Sequence, residues 1–215
     1  MSMRELVVFG AGGHAAMILE AARAAGGWSG YRVCDDDLAK HGGMLLDQGI
    51  AGGRDWLLAQ RDRAAVVPAI GGNRLRMALI AWLEQEGFAI ASVVHPGAIV
   101  SPSASMGAGV FVAPGAVVGA RTLLESGVIV NTSASVDHDC TIGAAAHVGP
   151  GAHLCGGVRV GELSMIGVGS CARPGAVIGS NCVVGAGAAV VSDVPDGATV
   201  VGVPARPIQT APPAS

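Results

Sequence analysis

Lysine is nearly absent from this chain of 215 residues. Lys40 stands alone, and 13 basic side chains face 16 acidic ones for a net charge of −3. That balance offers no cationic surface to grip a phosphate backbone, which excludes a nucleic-acid platform. Aromatics are almost as scarce: three Phe, three Trp and one Tyr. No apolar run reaches the ~20 residues of a bilayer span without a glycine or a charge breaking it, so no membrane span is expected. The opening Met1-Ser2-Met3-Arg4-Glu5 runs straight into a short strand-like stretch and does not read as a signal peptide. Five cysteines, at 34, 140, 155, 171 and 182, share no C-x-x-C spacing. They read as reduced, buried small hydrophobes in a cytoplasmic protein. What the chain has instead is glycine, 34 residues, and 51% apolar side chains, which excludes disorder for most of its length.

These residues are unevenly spread. Six of the seven aromatics and nine of the 13 basic residues precede residue 94, whereas ten of the 11 prolines follow it. We therefore divide the chain into 1–93, 94–206 and a Pro/Ala-rich, loose tail at 207–215. The first segment alternates strands and helices. Strands are expected at 6–9, 31–34, 65–70 and 90–94, and helices at 15–25, 54–63 and 73–86, the last with Leu75, Leu79, Trp82 and Leu83 on one stripe. That alternation predicts a small parallel sheet of Rossmann type, an α/β domain.

One count decides the second segment. From Val94 in steps of six to Val190, sixteen of seventeen residues are Val, Ile, Leu or Met, and the exception is Ala172. Four residues after each, every side chain is small; three after, nine of seventeen are glycine, where a turn needing positive φ would use it. Neither a helix nor an ordinary strand holds an unbroken period of six. A solenoid does. Three flat faces make an 18-residue coil, and 96 residues make about five coils stacked on a continuous aliphatic column. The pattern resembles the left-handed parallel β-helix of hexapeptide-repeat proteins, an all-β fold.

Few polar groups interrupt such a stack, so its histidines stand out. His95 beside Pro96 reads as a structural hydrogen bonder. In Val136-Asp137-His138-Asp139-Cys140, both His138 and Asp139 fall at outward positions, where the carboxylate can hold the imidazole tautomer and make its far nitrogen more basic. Gly10-x-Gly12-Gly13-His14 after the first strand is a phosphate-cradling loop by mechanism, because glycine admits close approach and a helix N-terminus faces the anion. A dinucleotide reading of Gly10, Gly12, Ala15 and Asp35 is rejected, since about 90 residues supply only one short half of that fold.

A longer series of motifs runs in order along the chain. It comprises Gly10-Ala11-Gly12-Gly13-His14-Ala15, Cys34-Asp35-Asp36, Ile70-Gly71-Gly72-Asn73, His95-Pro96, Asn131-Thr132, Val136-Asp137-His138-Asp139-Cys140, His147-Val148-Gly149-Pro150 and Gly202-Val203-Pro204-Ala205. Together these resemble the sugar O-acyltransferase family that includes sialic acid O-acetyltransferases and nucleotide-amino-sugar N-acetyltransferases of bacterial glycan biosynthesis. The resemblance implies direct attack of a sugar amine on acetyl-CoA, with His138 as general base and Asp139 orienting it. It implies His147, Gly156, Val168 and Ala186 for acetyl-CoA. For the nucleotide-linked amino-deoxy sugar, of 4-amino-4,6-dideoxy type, it implies Gly12, Gly13, His14, Asp35, Asp36 and Gly71. A homotrimer without metal follows from it, and O-acetylation of sialic acid or another sugar hydroxyl is the runner-up. A carbonic-anhydrase-type zinc site is disfavoured, because His147 and His153 are six apart and fall on different faces. An inert trimerisation module is the non-catalytic rival.

Overall fold

The structure, a computed structural model, describes residues 4–208; Met1 to Met3 and 209–215, with most of the expected tail, lie outside the described residues. The first segment contains β1 (Glu5–Phe9), α1 (Gly13–Ala25), β2 (Tyr31–Cys34), a small hairpin of β3 (Met44–Leu45) and β4 (Gln48–Gly49), α2 (Arg54–Leu58), β5 (Ala64–Pro68), α3 (Asn73–Gln85) and β6 (Ala89–Ile90). Strands β2, β1, β5 and β6 lie in that order in one parallel sheet. Leu6 and Val8 of β1 pack in the core beneath α1, and Val7 and Phe9 in the core beneath α3. A strand covered on both faces needs that unbroken apolar run.

Three local expectations are corrected. The helix expected over 54–63 stops at Leu58 and continues as turns. The strand expected over 90–94 is two: Ala89–Ile90 closes the sheet, and Val93–Val94 pairs with Phe111–Val112. Between them the Ser92 hydroxyl donates to the Gly107 carbonyl and accepts from the Val110 amide, so the chain changes sheets without stranding backbone groups. On α3, Leu75 is 67% exposed, and the buried side is Arg76, Leu79, Ile80 and Leu83.

From Val93 onward the chain is a β-solenoid. Through Val190 its strands are two residues long and pair in parallel every eighteen residues, Phe111 with Ile129 and Ile129 with His147. Three sheets result. The first face runs Val93, Phe111, Ile129, His147, Met165, Val183, Thr199; the second Ile99, Val117, Ser135, His153, Cys171, Ala189; the third Ser105, Leu123, Thr141, Arg159, Val177. Five full coils are followed by a sixth, which Thr199–Val201 closes on the first face. The inward aliphatics from Val112 to Val190 are all buried; Met106, at the open end, is not.

At every turn from Gly109 to Gly187 the third residue after the inward aliphatic has positive φ, and six of these residues are not glycine: Arg121, Ser133, Asp139, Ala145, Leu163 and Asn181. Cys140 and Cys182 occupy buried inward positions, as expected of small hydrophobes. Cys155 is only half-buried and Cys171 is exposed, because both fall on outward steps of the repeat.

The α/β domain sits on the first face. Outward-facing Phe111 and Ile129 share one core with Ala15, Ile18 and Leu19 of α1. Beside them Arg76, 0% exposed, donates to the carbonyls of Gly127, Ala145, Ile70 and Gly71 and to the side-chain oxygen of Asn73. Asn73 bonds the carbonyls of Leu163 and Ser164, and Arg74 bonds Asn181. Phe111 is thus the one aromatic of the repeat segment, and it points out of the coil into this junction.

Ile166→Asp is expected to abolish the cooperative unfolding transition, because an unpaired carboxylate in the dry column costs several kcal/mol. Circular dichroism melting checks it; a soluble variant with a wild-type melt would overturn the register.

Candidate active site

The loops leaving β2, β1 and β5 meet at the C-terminal edge of the sheet, where strand order reverses and open α/β folds take their ligands. Gly10 ends β1 at φ 126°, and a side chain there would meet the Ala69 carbonyl at 2.6 Å. Gly12, Gly13 and Gly71 differ. They are exposed, and an added Cβ would meet nothing within 4 Å. Asp35 is not a free acid. Its carboxylate accepts from the Ala11 amide at 2.7 Å, the Asp37 amide at 2.9 Å and Lys40 Nζ at 2.9 Å. Burial pushes its pKa up, but those hydrogen bonds outweigh it and hold the group below the usual carboxylate range. Asp35 therefore ties the glycine loop to the 35–40 turn. Asp36 pairs with Arg54 Nε at 2.9 Å, and the Arg54 guanidinium lies 4.6 Å from the Trp82 ring centre.

His14 and His147 meet where the two domains join, their ring centres 6.4 Å apart, with His14 edge-on to Phe111. Asn131 donates Nδ2 to His147 Nε2 at 3.0 Å, while its Oδ1 accepts from the Thr132 amide. Nε2 is then an acceptor and the proton sits on Nδ1. Nε2 of His14 is buried with no partner. Burial, then the nearby Arg76 charge, lowers both pKa values to about 4.

His138 stands elsewhere, on the corner between the second and third faces, 57% exposed at its side chain. Its Nδ1 lies 2.7 Å from Asp139 Oδ2, and Arg121, one coil earlier, grips the same carboxylate through Nε and a terminal nitrogen at 2.7 Å each. The Arg121 and His138 hydrogen bonds hold the Asp139 carboxyl far below the usual range, so it stays an acceptor and His138 Nδ1 carries the proton. Nε2 is left with a lone pair facing out. On the next coil Gly156 lies against the ring: a Cβ there would come within 2.6 Å of His138 Nε2. Gly156 has no positive φ, so closeness to the imidazole is what requires glycine.

The site residues expected from sequence thus fall into separate groups. Gly12, Gly13, His14, Asp35, Asp36 and Gly71 surround the sheet edge, with His147 beneath it. Asp139 and Gly156 flank His138. Val168 and Ala186 are exposed and stacked one coil apart on the corner between the first and second faces. The α/β domain covers the first face and its corner with the third, opposite the corner that carries His138. Arg121 and Arg76 were not anticipated, and Asn131 was singled out only as part of a motif. Only the eighteen-residue offset between Arg121 and Asp139 could have signalled the first.

An α/β crevice joined to a hexapeptide solenoid that presents a His–Asp pair defines an acetyltransferase of the hexapeptide-repeat class. Residues 5–83 match the model of the PglD N-terminal domain. The acetyltransferase domain of PglB from Neisseria gonorrhoeae, solved with acetyl coenzyme A, is 41% identical, with TM-score 0.90 over 96% of this chain and 100% of that one. PerB from Caulobacter crescentus, solved with CoA and GDP-perosamine, is 39% identical, with TM-score 0.90 over 97% and 99%. Mutants of the Caulobacter GDP-perosamine N-acetyl transferase with a substituted histidine match at 38% identity. WeeI from Acinetobacter baumannii matches at 25% identity and TM-score 0.86 over 95% and 100%. The chain belongs to this PglD-type family of hexapeptide-repeat sugar acetyltransferases.

Two outcomes follow from the geometry. An ordinary histidine takes its proton near pH 6.5, whereas folded His14 and His147 wait until about pH 4. Between those values the unfolded chain binds more protons, so stability is complete above 6.5 and is lost as pH falls toward 4, by roughly 3 kcal/mol per histidine. Melting temperatures from about pH 7.5 to 4.5 should decline less steeply in His147→Gln; parallel declines would remove this histidine from the acid sensitivity. Gly156→Ala should keep the wild-type melt yet lower kcat about 10–100-fold, because the added methyl displaces the imidazole. An unchanged kcat would show that the ring does not need its present place.

Proposed function

We propose that this protein is an acetyl-CoA-dependent N-acetyltransferase acting on the amino group of a nucleotide-linked amino-deoxy sugar, a 4-amino-4,6-dideoxy sugar in particular. The observation that carries this reading is the outward His138–Asp139 pair, with its proton fixed on Nδ1 and its Nε2 open. The neutral sugar amine attacks the thioester carbonyl, forming the C–N bond. His138 Nε2 takes the proton that the nitrogen must shed, and the C–S bond breaks to release CoA as thiolate, which the imidazolium can reprotonate. Asp139 stabilises the imidazolium without taking the proton, a positioned base effect contributing about 10²–10⁴-fold.

At the sheet edge, Gly12, Gly13 and Gly71 leave free backbone and open space for a diphosphate at the start of α1, with Asp36 toward the ribose and base. Asp35 acts there through the loop it ties. His14, kept neutral, offers the sugar a hydrogen-bonding nitrogen instead of a charge. Acetyl-CoA would run along Gly156 and the Val168–Ala186 corner, with His147 near the thioester. The nucleotide-sugar crevice and His138 lie on opposite sides of one chain, so the reaction joins the crevice of one copy to the base of another. A homotrimer meets that requirement. The free cysteines and both co-substrates suit the cytoplasm. GDP-perosamine, which accompanies CoA in the PerB structure, is the first acceptor to try.

Free-thiol release from acetyl-CoA against UDP-, dTDP- and GDP-linked 4-amino sugars, with sialic acid alongside, tests the reading. Release with one amino sugar is expected, falling at least about 100-fold in His138→Ala with the oligomer mass unchanged. Release only with sialic acid would move the protein to hydroxyl acetylation, and full activity in His138→Ala would remove the general base.

A further inference from the structure

We propose that Arg121 is a positioning residue for the reaction, fixing the Asp139 carboxylate and through it the direction of the His138 imidazole. The proposal rests on the reading of His138 as general base.

Arg121 and Asp139 occupy the same turn position of consecutive coils, eighteen residues apart, and both hold left-handed backbone, φ 57° and 59°. Eight of the equivalent turn residues are glycine, the residue that takes this conformation without steric cost. Two long or charged side chains at adjacent steps of one corner are therefore there for what they reach. Arg121 reaches Asp139 Oδ1 through Nε and Oδ2 through a terminal nitrogen, both at 2.7 Å, and its own amide is held by Ser103 Oγ at 3.1 Å. The planar fork fixes the plane of the carboxylate. Oδ2 is also the atom on His138 Nδ1, so that plane sets where the imidazole points. Asp139 is well exposed, and without the fork its carboxylate would turn into water.

The charge acts in the same arrangement. The guanidinium holds the Asp139 carboxyl well below the usual carboxylate range, so the carboxylate remains an acceptor beside the imidazole. Other charged or titratable groups around this corner are Asp137, whose Oδ1 accepts the His138 amide, Cys155, His153 and Arg159 on the next coil, and Arg173 and Asp193 on the two coils after that. None of them contacts the carboxylate. An exposed ion pair contributes little to stability, so a purely structural role would leave little trace in catalysis.

Arg121→Gly and Arg121→Asn remove the fork while suiting the left-handed turn, and Arg121→Lys restores the charge without the fork. The full chain is studied as its native oligomer. Histidine-labelled NMR without ligand reads the His138 tautomer, and thiol release with acetyl-CoA and GDP-perosamine, or the amino sugar the panel selects, reads kcat, KM and the pH profile. In Arg121→Gly and Arg121→Asn, kcat should fall about 10–100-fold with KM for acetyl-CoA within about twofold. The acid limb should move to higher pH by about 0.5–1 unit, because removing a neighbouring cation eases protonation of the base. The single tautomer signal should become a mixture. Arg121→Lys should keep the acid limb in place and recover part of kcat. Wild-type kcat, acid limb and tautomer in both Arg121→Gly and Arg121→Asn, with His138→Ala inactive, would overturn the proposal and leave the base standing. Full activity in His138→Ala would remove the base itself.

Discussion

A chain that must return to the same place every eighteen residues has little freedom left, and this closure governs the molecule. Each six-residue step needs one aliphatic residue pointing in, one small residue beside it and one left-handed residue at the turn. Large rings are shut out of the column, which is why the repeat segment holds a single aromatic and turns it outward. Closure also decides who meets whom. Residues eighteen apart lie side by side, so His138 has Arg121's ion pair on one flank and bare Gly156 on the other.

The second organising contact is Arg76. A fully buried guanidinium with no carboxylate would be costly, and here five hydrogen bonds to oxygen offset the loss of water. Those oxygens come from the loop before α3, from α3 itself and from two coils of the solenoid, so the arginine locks the α/β domain to one face. Its positive charge also reinforces the neutrality that burial imposes on His14 and His147. The same docking sets the sheet-edge crevice apart from the His138 corner.

Much of this was legible in advance, for identifiable reasons. The period of six names its own architecture, and the first strand announces itself by an apolar run ending in glycine. The His138–Asp139 pair could be placed outward by counting from Val136. Counting failed where a side chain does something its class seldom does. On α3, helical spacing nominated Leu75 and passed over Arg76, because an arginine is rarely an interior residue. The ties of Asp35 to Ala11, Asp37 and Lys40 likewise left no local mark. Cys171 was assigned to the interior by residue type, although its step in the repeat points outward.

What the sequence determined by itself is the local and the periodic: the solenoid, the parallel sheet before it, the buried columns and the outward setting of His138 and Asp139. These rest on spacing, and spacing is one-dimensional information. Only the tertiary structure decided which face of the solenoid the α/β domain covers, where the guanidinium of Arg76 finds its oxygens, and that Arg121 holds the carboxylate of Asp139. Such pairings depend on side chains brought together from coils and domains far apart in the chain, and no local pattern records them.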